Sequence, residues 1–278
     1  RFFNPTTGAT VTTYDTVNIF DPASYDASNE LPALPSEVTR IVKTETTRLG
    51  IYAQDLISFG EKFKALLGIR YSYQEAKPVT HAGGTETEGA IKNDRAFSPK
   101  VGLIYQPTKS ITLFSSYSNS FTPNTGVDIN NEAIEPSIID QIEAGIKNEF
   151  WKGKLTTNVT LYQIVNSNLA QTAEFDANGN INTNTNVKAL SGETTSKGIE
   201  LDITYKPIDD FNIMAGYSYN DMRYTETTGI TGSFIEGDRL VRTPQHTANL
   251  SFFYTIPTGM FKNVSIGAIG NYIGDRVG

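Results

Sequence analysis

Apolar and polar residues alternate with a period of two along most of the chain. Between Gly198 and Lys206 every odd position is apolar and every even position is polar or small. The same alternation appears in the runs 63–73, 141–147, 154–162, 211–220, 248–254 and 264–268. Strict alternation predicts β-strands with one apolar and one wet face, and we expect about ten of them.

The connections between these runs alternate in length. Short turns are predicted near 59–62, 106–109, 152–154, 206–210 and 257–259, and long polar stretches at 77–95, 121–137, 166–196 and 222–241. Several runs extend to about 10–15 residues, beyond the mode of about 5–6 in soluble proteins. Short turns at one end and long loops at the other are typical of an antiparallel up-and-down transmembrane β-barrel with periplasmic turns and extracellular loops. The alternative is a soluble antiparallel sheet with one solvated face.

Composition supports an all-β class and excludes several others. The 278 residues include 14 Tyr, 15 Phe and no Cys, and the formal net charge is -7. Aromatic residues favour strands, and the absence of Cys excludes disulfides and thiolate metal sites. The acidic balance argues against a nucleic-acid partner. No apolar run approaches the roughly 18 residues of a membrane-spanning helix. Tyr and Phe near the strand ends suit membrane interfaces, although they are also good strand formers.

A set of short motifs occurs in one order along most of the chain. They are Leu49–Asp55 with Leu67–Tyr71, Phe97–Tyr105 with Tyr117–Pro123, Glu135–Pro136 with Gln141–Lys147, Ser196–Leu201, Arg242–His246 and Gly270–Arg276. This series resembles the barrel strands of TonB-dependent siderophore receptors. The resemblance departs from the usual pattern where Glu precedes Pro and where Ile142 replaces Tyr. Residues 19–22 resemble a loop of the ferrichrome-type branch.

The resemblance implies a barrel of about twenty-two strands in the outer membrane, filled by an N-terminal plug. Such receptors bind ferric siderophores, import them with energy from TonB, and contact outer-membrane lipid and lipopolysaccharide. On this basis residues 1–36 are expected to form an extracellular loop, and residues 37–278 barrel strands and loops. The plug, its TonB box and the C-terminal strands are expected to be absent, because their motifs are missing from this sequence.

Two sets of candidate site residues follow from the expected topology. A siderophore holds its own iron, so its receptor needs aromatic rings and hydrogen-bond donors rather than metal ligands or a cofactor. Candidates at extracellular strand ends and in loops are Tyr117, Phe121, His81, Tyr224, Phe234 and Arg242. Phe121 matches a position where the family carries an aromatic ring. Charged residues on the wet face, expected to point into the barrel and face the plug, are Arg70, Glu143, Lys147 and Glu200.

Other functions remain as alternatives. The cargo could instead be cobalamin, haem or an oligosaccharide, or the barrel could be a structural or adhesion module whose loops bind a partner protein. No catalytic motif supports an enzyme. Residues 176–180 begin like a calcium loop, but Val187 stands where the twelfth-position Glu would be needed. A plug with a TonB box in the native gene would favour transport over a structural role.

Overall fold

A computed structural model describes residues 2–3, 10–11, 40–82, 84–227 and 234–277. The chain forms two units, one of Arg1–Val42 with Thr80–Thr87 and the other of Lys43–Val79 with Glu88–Gly278. In the first unit, β1 (Phe2–Phe3) pairs antiparallel with β2 (Thr10–Val11). The rest of the expected extracellular loop, residues 1–36, lies outside the described residues, and its assignment stays a prediction.

Eleven further strands follow in chain order. They are β3 Arg40–Phe59, β4 Phe63–Ala82, β5 Thr85–Glu88, β6 Lys92–Thr108, β7 Ile111–Thr122, β8 Ser137–Phe150, β9 Leu155–Thr172, β10 Lys188–Ile208, β11 Phe211–Glu226, β12 His246–Thr255 and β13 Ser265–Ile273. The sheet order follows the chain from β3 to β13, with β5 paired to β4 beside the main path. From β4 onward the long strands of this path pair antiparallel with each neighbour. The all-β up-and-down prediction is confirmed. No helix within the described ranges is long and apolar enough to cross a membrane.

The strands are longer than the alternating runs predicted. β10 has 21 residues and β4 has 20, because the ladder continues past the apolar part of each strand. About half of the stretch 166–196, which was expected to be loop, is strand, with Lys188 opposite Thr172. The connections at this end shrink to 123–136 and 173–187, while those at the other end are as short as 209–210. Pairing with the neighbouring strand satisfies the backbone hydrogen-bonding groups of these polar residues, so the strand does not need an apolar face there.

Register separates the side chains of the sheet into two faces. Leu103, Ser115, Ala144, Leu161 and Ile199 are successive partners and share one face. The next register row, on the opposite face, is Gly102, Ser116, Glu143, Tyr162 and Gly198. We call the first the outer face and the second the inner face.

The apolar side chains of the outer face are exposed rather than packed into a core. Leu103 is 63% exposed and Leu161 is 56% exposed. The only buried hydrophobic residues in the described ranges are Ile134, Ala173 and Tyr224. An exposed apolar face of this size requires an apolar surrounding, since it would be strongly unfavourable in water.

Aromatic rings form two bands at the ends of the apolar segment. The band near the short turns contains Phe63 with Tyr105 (4.5 Å between centroids), Trp151 with Tyr205 (5.8 Å) and Phe211 with Tyr254 (6.3 Å). The band near the long loops contains Tyr71 with Phe97 (5.0 Å) and Tyr219 with His246 (5.1 Å). Along β4 the bands are separated by the stretch from Phe63 to Tyr71, which spans about 27 Å along the strand. With a tilt of about 40°, this stretch spans about 21 Å along the membrane normal, somewhat less than the roughly 25 Å apolar height of outer-membrane barrels.

Candidate functional site

The inner face carries charged side chains at the level of the apolar band. By register, Arg70, Glu143, Lys147 and Glu200 all lie on this face. None of the four belongs to an ion pair within the described ranges. Charges held without counter-charges require water or a polar partner. These unpaired charges therefore indicate that the inner face contacts water or a polar partner.

The contacts of these charges within the sheet are few. Gln141 Nε2 donates to Glu143, and Ser116 Oγ donates to the other carboxylate oxygen at 3.4 Å. Lys147 Nζ lies 5.2 Å from the centroid of the Phe114 ring. Most of the hydrogen-bonding capacity of these groups is left for a partner.

At the loop end, Asn124 joins four elements. Its amide nitrogen donates to the carbonyls of Glu135 at 2.9 Å and Asn168 at 2.8 Å, and its side-chain oxygen accepts from Ser137 Oγ at 3.0 Å. Its carbonyl accepts from Lys92 Nζ at 2.6 Å. These bonds tie the loop 123–136 to the ends of β6, β8 and β9, so the loop is held at its base.

A buried ion pair supports this junction. Lys92 Nζ lies 3.2 Å from Asp94 Oδ1, and the two side chains are 15% and 2% exposed. Asp94 Oδ2 is buried without a hydrogen-bond partner. Loss of Lys92 would leave a buried carboxylate unpaired, which is costly. The cavity beside the pair, about 510 Å³, is lined by Glu135, Pro136 and Asn168 among others.

The loops 123–136 and 173–187 are linked by backbone hydrogen bonds. Val127 N donates to the carbonyl of Asn186 at 3.1 Å, and Lys188 N donates to the carbonyl of Val127 at 2.7 Å. Gly126 has φ 107°, and a Cβ there would lie 2.7 Å from the Asn186 oxygen. Only glycine permits this approach, so the two loops are held as one surface.

Asp176 organises the tip of the second loop. Its Oδ1 accepts from the backbone nitrogens of Asn178 at 2.9 Å and Asn180 at 3.0 Å. The backbone N–H groups of Asn180 and Asn178 hold the pKa of the Asp176 carboxyl below its usual range. The carboxylate thus closes an Asx turn.

A third loop folds back on the end of β11. The ring of Tyr224 stacks on Phe234 at 4.2 Å with an interplanar angle of 9°. Tyr224 N donates to the carbonyl of Asp238 at 3.0 Å, and Gly237 N donates to the carbonyl of Tyr224 at 2.8 Å. Burial raises the pKa of the Tyr224 hydroxyl. This aromatic pair is brought together by the loop.

The other candidates for ligand contact are dispersed. Tyr117 and Phe121 lie on the outer face, opposite Ile142 and Ile138, and Tyr117 donates to Asp140 Oδ1 at 2.6 Å. Register parity therefore separates these two residues from the inner face. His81 lies in the first unit, with Nδ1 3.6 Å from Glu86. Arg242 is exposed and has φ 64°, and its backbone nitrogen donates to the carbonyl of Val277.

The sequence matches the family model "TonB dependent receptor-like, beta-barrel" over residues 2–278. The chain belongs to the TonB-dependent receptor family. Members of this family are receptors and transporters of the Gram-negative outer membrane, and the outer-membrane location predicted from the sequence is confirmed. The inner face of the sheet therefore corresponds to the lumen side of a TonB-dependent receptor barrel, and the exposed apolar face corresponds to the outside of the barrel.

Two relatives of this TonB-dependent receptor chain are named as receptors, one for metal-pseudopaline and one for ferrioxamine B. This chain is 28% identical over 237 residues to the metal-pseudopaline receptor CntO of Pseudomonas aeruginosa, covering 84% of this chain and 32% of that protein. It is 26% identical over 231 residues to the ferrioxamine B receptor of Salmonella typhimurium, covering 83% and 30%. The chain spans about a third of the length of the curated relatives it matches.

Solved structures share the fold of the TonB-dependent receptor chain. The siderophore receptor PiuA of Acinetobacter baumannii matches with a TM-score of 0.67 and 22% identity, over 84% of this chain and 34% of that one. The alcaligin outer-membrane receptor FauA of Bordetella pertussis matches with a TM-score of 0.64 and 23% identity, over 84% and 38%. The predicted barrel class is thus confirmed.

Sequence reasoning missed the junction at Asn124 and the pair Lys92 with Asp94. Both lie where the alternating pattern ends, and no local motif marks them. It also missed Lys100, an inner-face residue of β6 opposite Ser118. Lys100 could have been assigned to the same face as Arg70 from its position on β6, but only if the pairing of β4 with β6 had been known.

Proposed function

We propose that the chain is part of an outer-membrane transporter that binds ferric siderophores and imports them with energy from TonB. The observation that carries this proposal is the inner face, where charges that have no ion-pair partner among the described residues lie below the organised loops. Relatives named for ferrioxamine B and for ferrichrome support the same cargo class.

The proposed contacts with the siderophore lie on the loop side. Tyr224 and Phe234 form a stacked aromatic surface there, and aromatic rings suit the apolar parts of a chelate. His81 and Arg242 remain proposed contacts as hydrogen-bond donors. Tyr117 and Phe121 are left out because they share the outer face with the apolar band. Iron would be carried by the siderophore, without a protein cofactor.

The proposed partners at the inner face and outer face differ in chemistry. Arg70, Glu143, Lys147 and Glu200 would contact a plug domain, through which TonB would act. The exposed apolar side chains would contact lipid, and the loop-side ends lipopolysaccharide. Substituting Glu143 and Glu200 should alter both uptake and the protection of the plug from protease.

Growth of a deletion strain on a panel of siderophores under iron limitation tests the proposed transport. We expect loss of growth on at least one ferric chelate and recovery when the intact gene is restored. Unchanged growth on every iron chelate would remove the proposal. A defect confined to cobalamin, haem or an oligosaccharide would assign a different cargo, and a defect only in adhesion would assign a structural role.

A further inference from the structure

A small cavity opens on the inner face between β3, β4, β6 and β7. Its volume is about 290 Å³, and its lining includes Gln54, Arg70, Ser98, Lys100 and Ser118. All five are inner-face residues by register or by contact with the inner-face Gly68. These five side chains contribute two cations, two hydroxyls and one amide to the lining.

The two cations lie close together across the β4 and β6 pair. Arg70 is opposite Ser98, and Lys100 is opposite Gly68. They therefore occupy diagonal positions on one face, where backbone positions are about 7–8 Å apart. Two long side chains at this separation can both reach one small anion.

Neither cation is neutralised by the sheet. Arg70 Nε donates to Ser72 Oγ at 2.9 Å, and neither Arg70 nor Lys100 has an ion pair within the described ranges. The inner-face positions 64–74 of β4, 96–106 of β6 and 112–122 of β7 hold no Asp or Glu. The nearest inner-face carboxylates in the register are Asp94 of β6, which pairs with Lys92, and Glu143 of β8, which accepts from Gln141 and Ser116.

Gly50 on β3 has no side chain, and this leaves the space in which the Arg70 guanidinium lies. A Cβ at Gly50 would lie 2.2 Å from Arg70 Nη2. The guanidinium therefore lies directly against the backbone of β3, and any larger residue would displace it. Its terminal nitrogens, which form a planar fork suited to carboxylates, remain free of side-chain acceptors.

We propose that Arg70 and Lys100 form a carboxylate-binding site on the inner wall of the barrel. Arg70 binds the two oxygens through its fork, Lys100 supplies the second charge, and Ser98, Ser118 and Gln54 donate from the rim. The carboxylate comes either from a ferric chelate in passage, which rests on the proposed transport, or from a polypeptide segment inside the barrel, which rests only on the proposed contact of Arg70 with a plug.

Chelate binding tests the first source. The intact receptor is compared with R70Q, K100Q and the double variant, using a ferric hydroxamate with a free carboxylate and its methyl ester. We expect about tenfold weaker binding of the carboxylate form in each single variant, as for a lost charge-assisted hydrogen bond, and unchanged binding of the ester. K64Q is the matched control, because Lys64 shares the face but lies outside this cavity.

Thermal melting and limited proteolysis of the same purified receptors test the second source. If the carboxylate belongs to an interior polypeptide, R70Q and K100Q lower the melting temperature and expose that segment to protease, while K64Q does not. If neither chelate selectivity nor interior protection changes relative to K64Q, the site is refuted. If the unsubstituted receptor binds no ferric chelate, the proposed function fails, and the melting comparison still decides the site.

Discussion

Three glycines of the inner face lie opposite aromatic rings of a neighbouring strand. Phe114 pairs with Gly145, Tyr162 with Gly198, and Phe253 with Gly267. A Cβ at Gly198 would lie 2.4 Å from the Tyr162 hydroxyl and 2.3 Å from the Tyr219 carbonyl oxygen. The ring covers the glycine backbone, and this stabilises a curved sheet. In two of the three pairs the glycine and the ring are more than 30 residues apart in the sequence. The sequence alone therefore does not indicate that they are in contact.

Gly198→Val should destabilise the barrel through this contact. Overpacking costs about 1–3 kcal/mol, so the urea midpoint of the purified receptor in micelles should fall. Gly270→Val is the matched control, because no atom lies within 4 Å of a Cβ at Gly270. Equal shifts in the two variants would show that strand glycines act through conformational entropy rather than through the ring contact.

Each long strand consists of an apolar stretch bounded by aromatic rings and a polar extension toward the loops. On β9, Leu155, Val159 and Leu161 belong to the apolar stretch, and Gln163 begins the polar extension on the same face. The period-two pattern predicted the apolar stretch, because in that stretch hydrophobic residues alternate with polar ones and so identify one face. The extension has polar residues on both faces, and tertiary pairing alone shows that it is strand.

Leu161→Arg and Asn158→Arg should have different effects although they lie on the same strand. Leu161 is on the outer face, where an arginine in lipid costs about 2 kcal/mol or more depending on depth. Asn158 is on the inner face, and its amide already donates to Asp202 at 3.3 Å. Unfolding in lipid vesicles, followed by heat-modifiable gel mobility, should show a loss for the first variant only. Similar losses would mean that both faces meet lipid.

As a whole molecule, the chain fully buries few apolar side chains within its described residues. Its buried side chains are mainly Ser, Thr and Asp, and its large apolar side chains are exposed. The folded sheet therefore requires an apolar surrounding for its outer face and strand pairing to satisfy its backbone. A modest hydrophobic content of 38% is sufficient, because only one face must be apolar.

The depth of the chain in the membrane can be measured through Trp151. This residue is the single Trp of the chain, is 64% exposed, and lies in the turn after β8 beside Tyr205. In a receptor that retains Trp151 as its only tryptophan, lipids brominated near the headgroup should quench fluorescence more than lipids brominated at the chain ends. Stronger quenching by the chain ends would place the turn band inside the hydrocarbon and contradict the two-band arrangement.

The sequence by itself determined the strand type, the apolar face and the side of the sheet on which Arg70, Glu143, Lys147 and Glu200 lie. These properties depend on residues two apart on one strand. The tertiary structure alone decided the partners: Lys100 beside Arg70, Lys92 bonded to Asn124, and Phe234 of the following loop stacked on Tyr224 of β11. Such contacts are set by the register between strands and by the way the loops fold back on them. A local pattern contains no information on which residue of another strand or loop lies opposite.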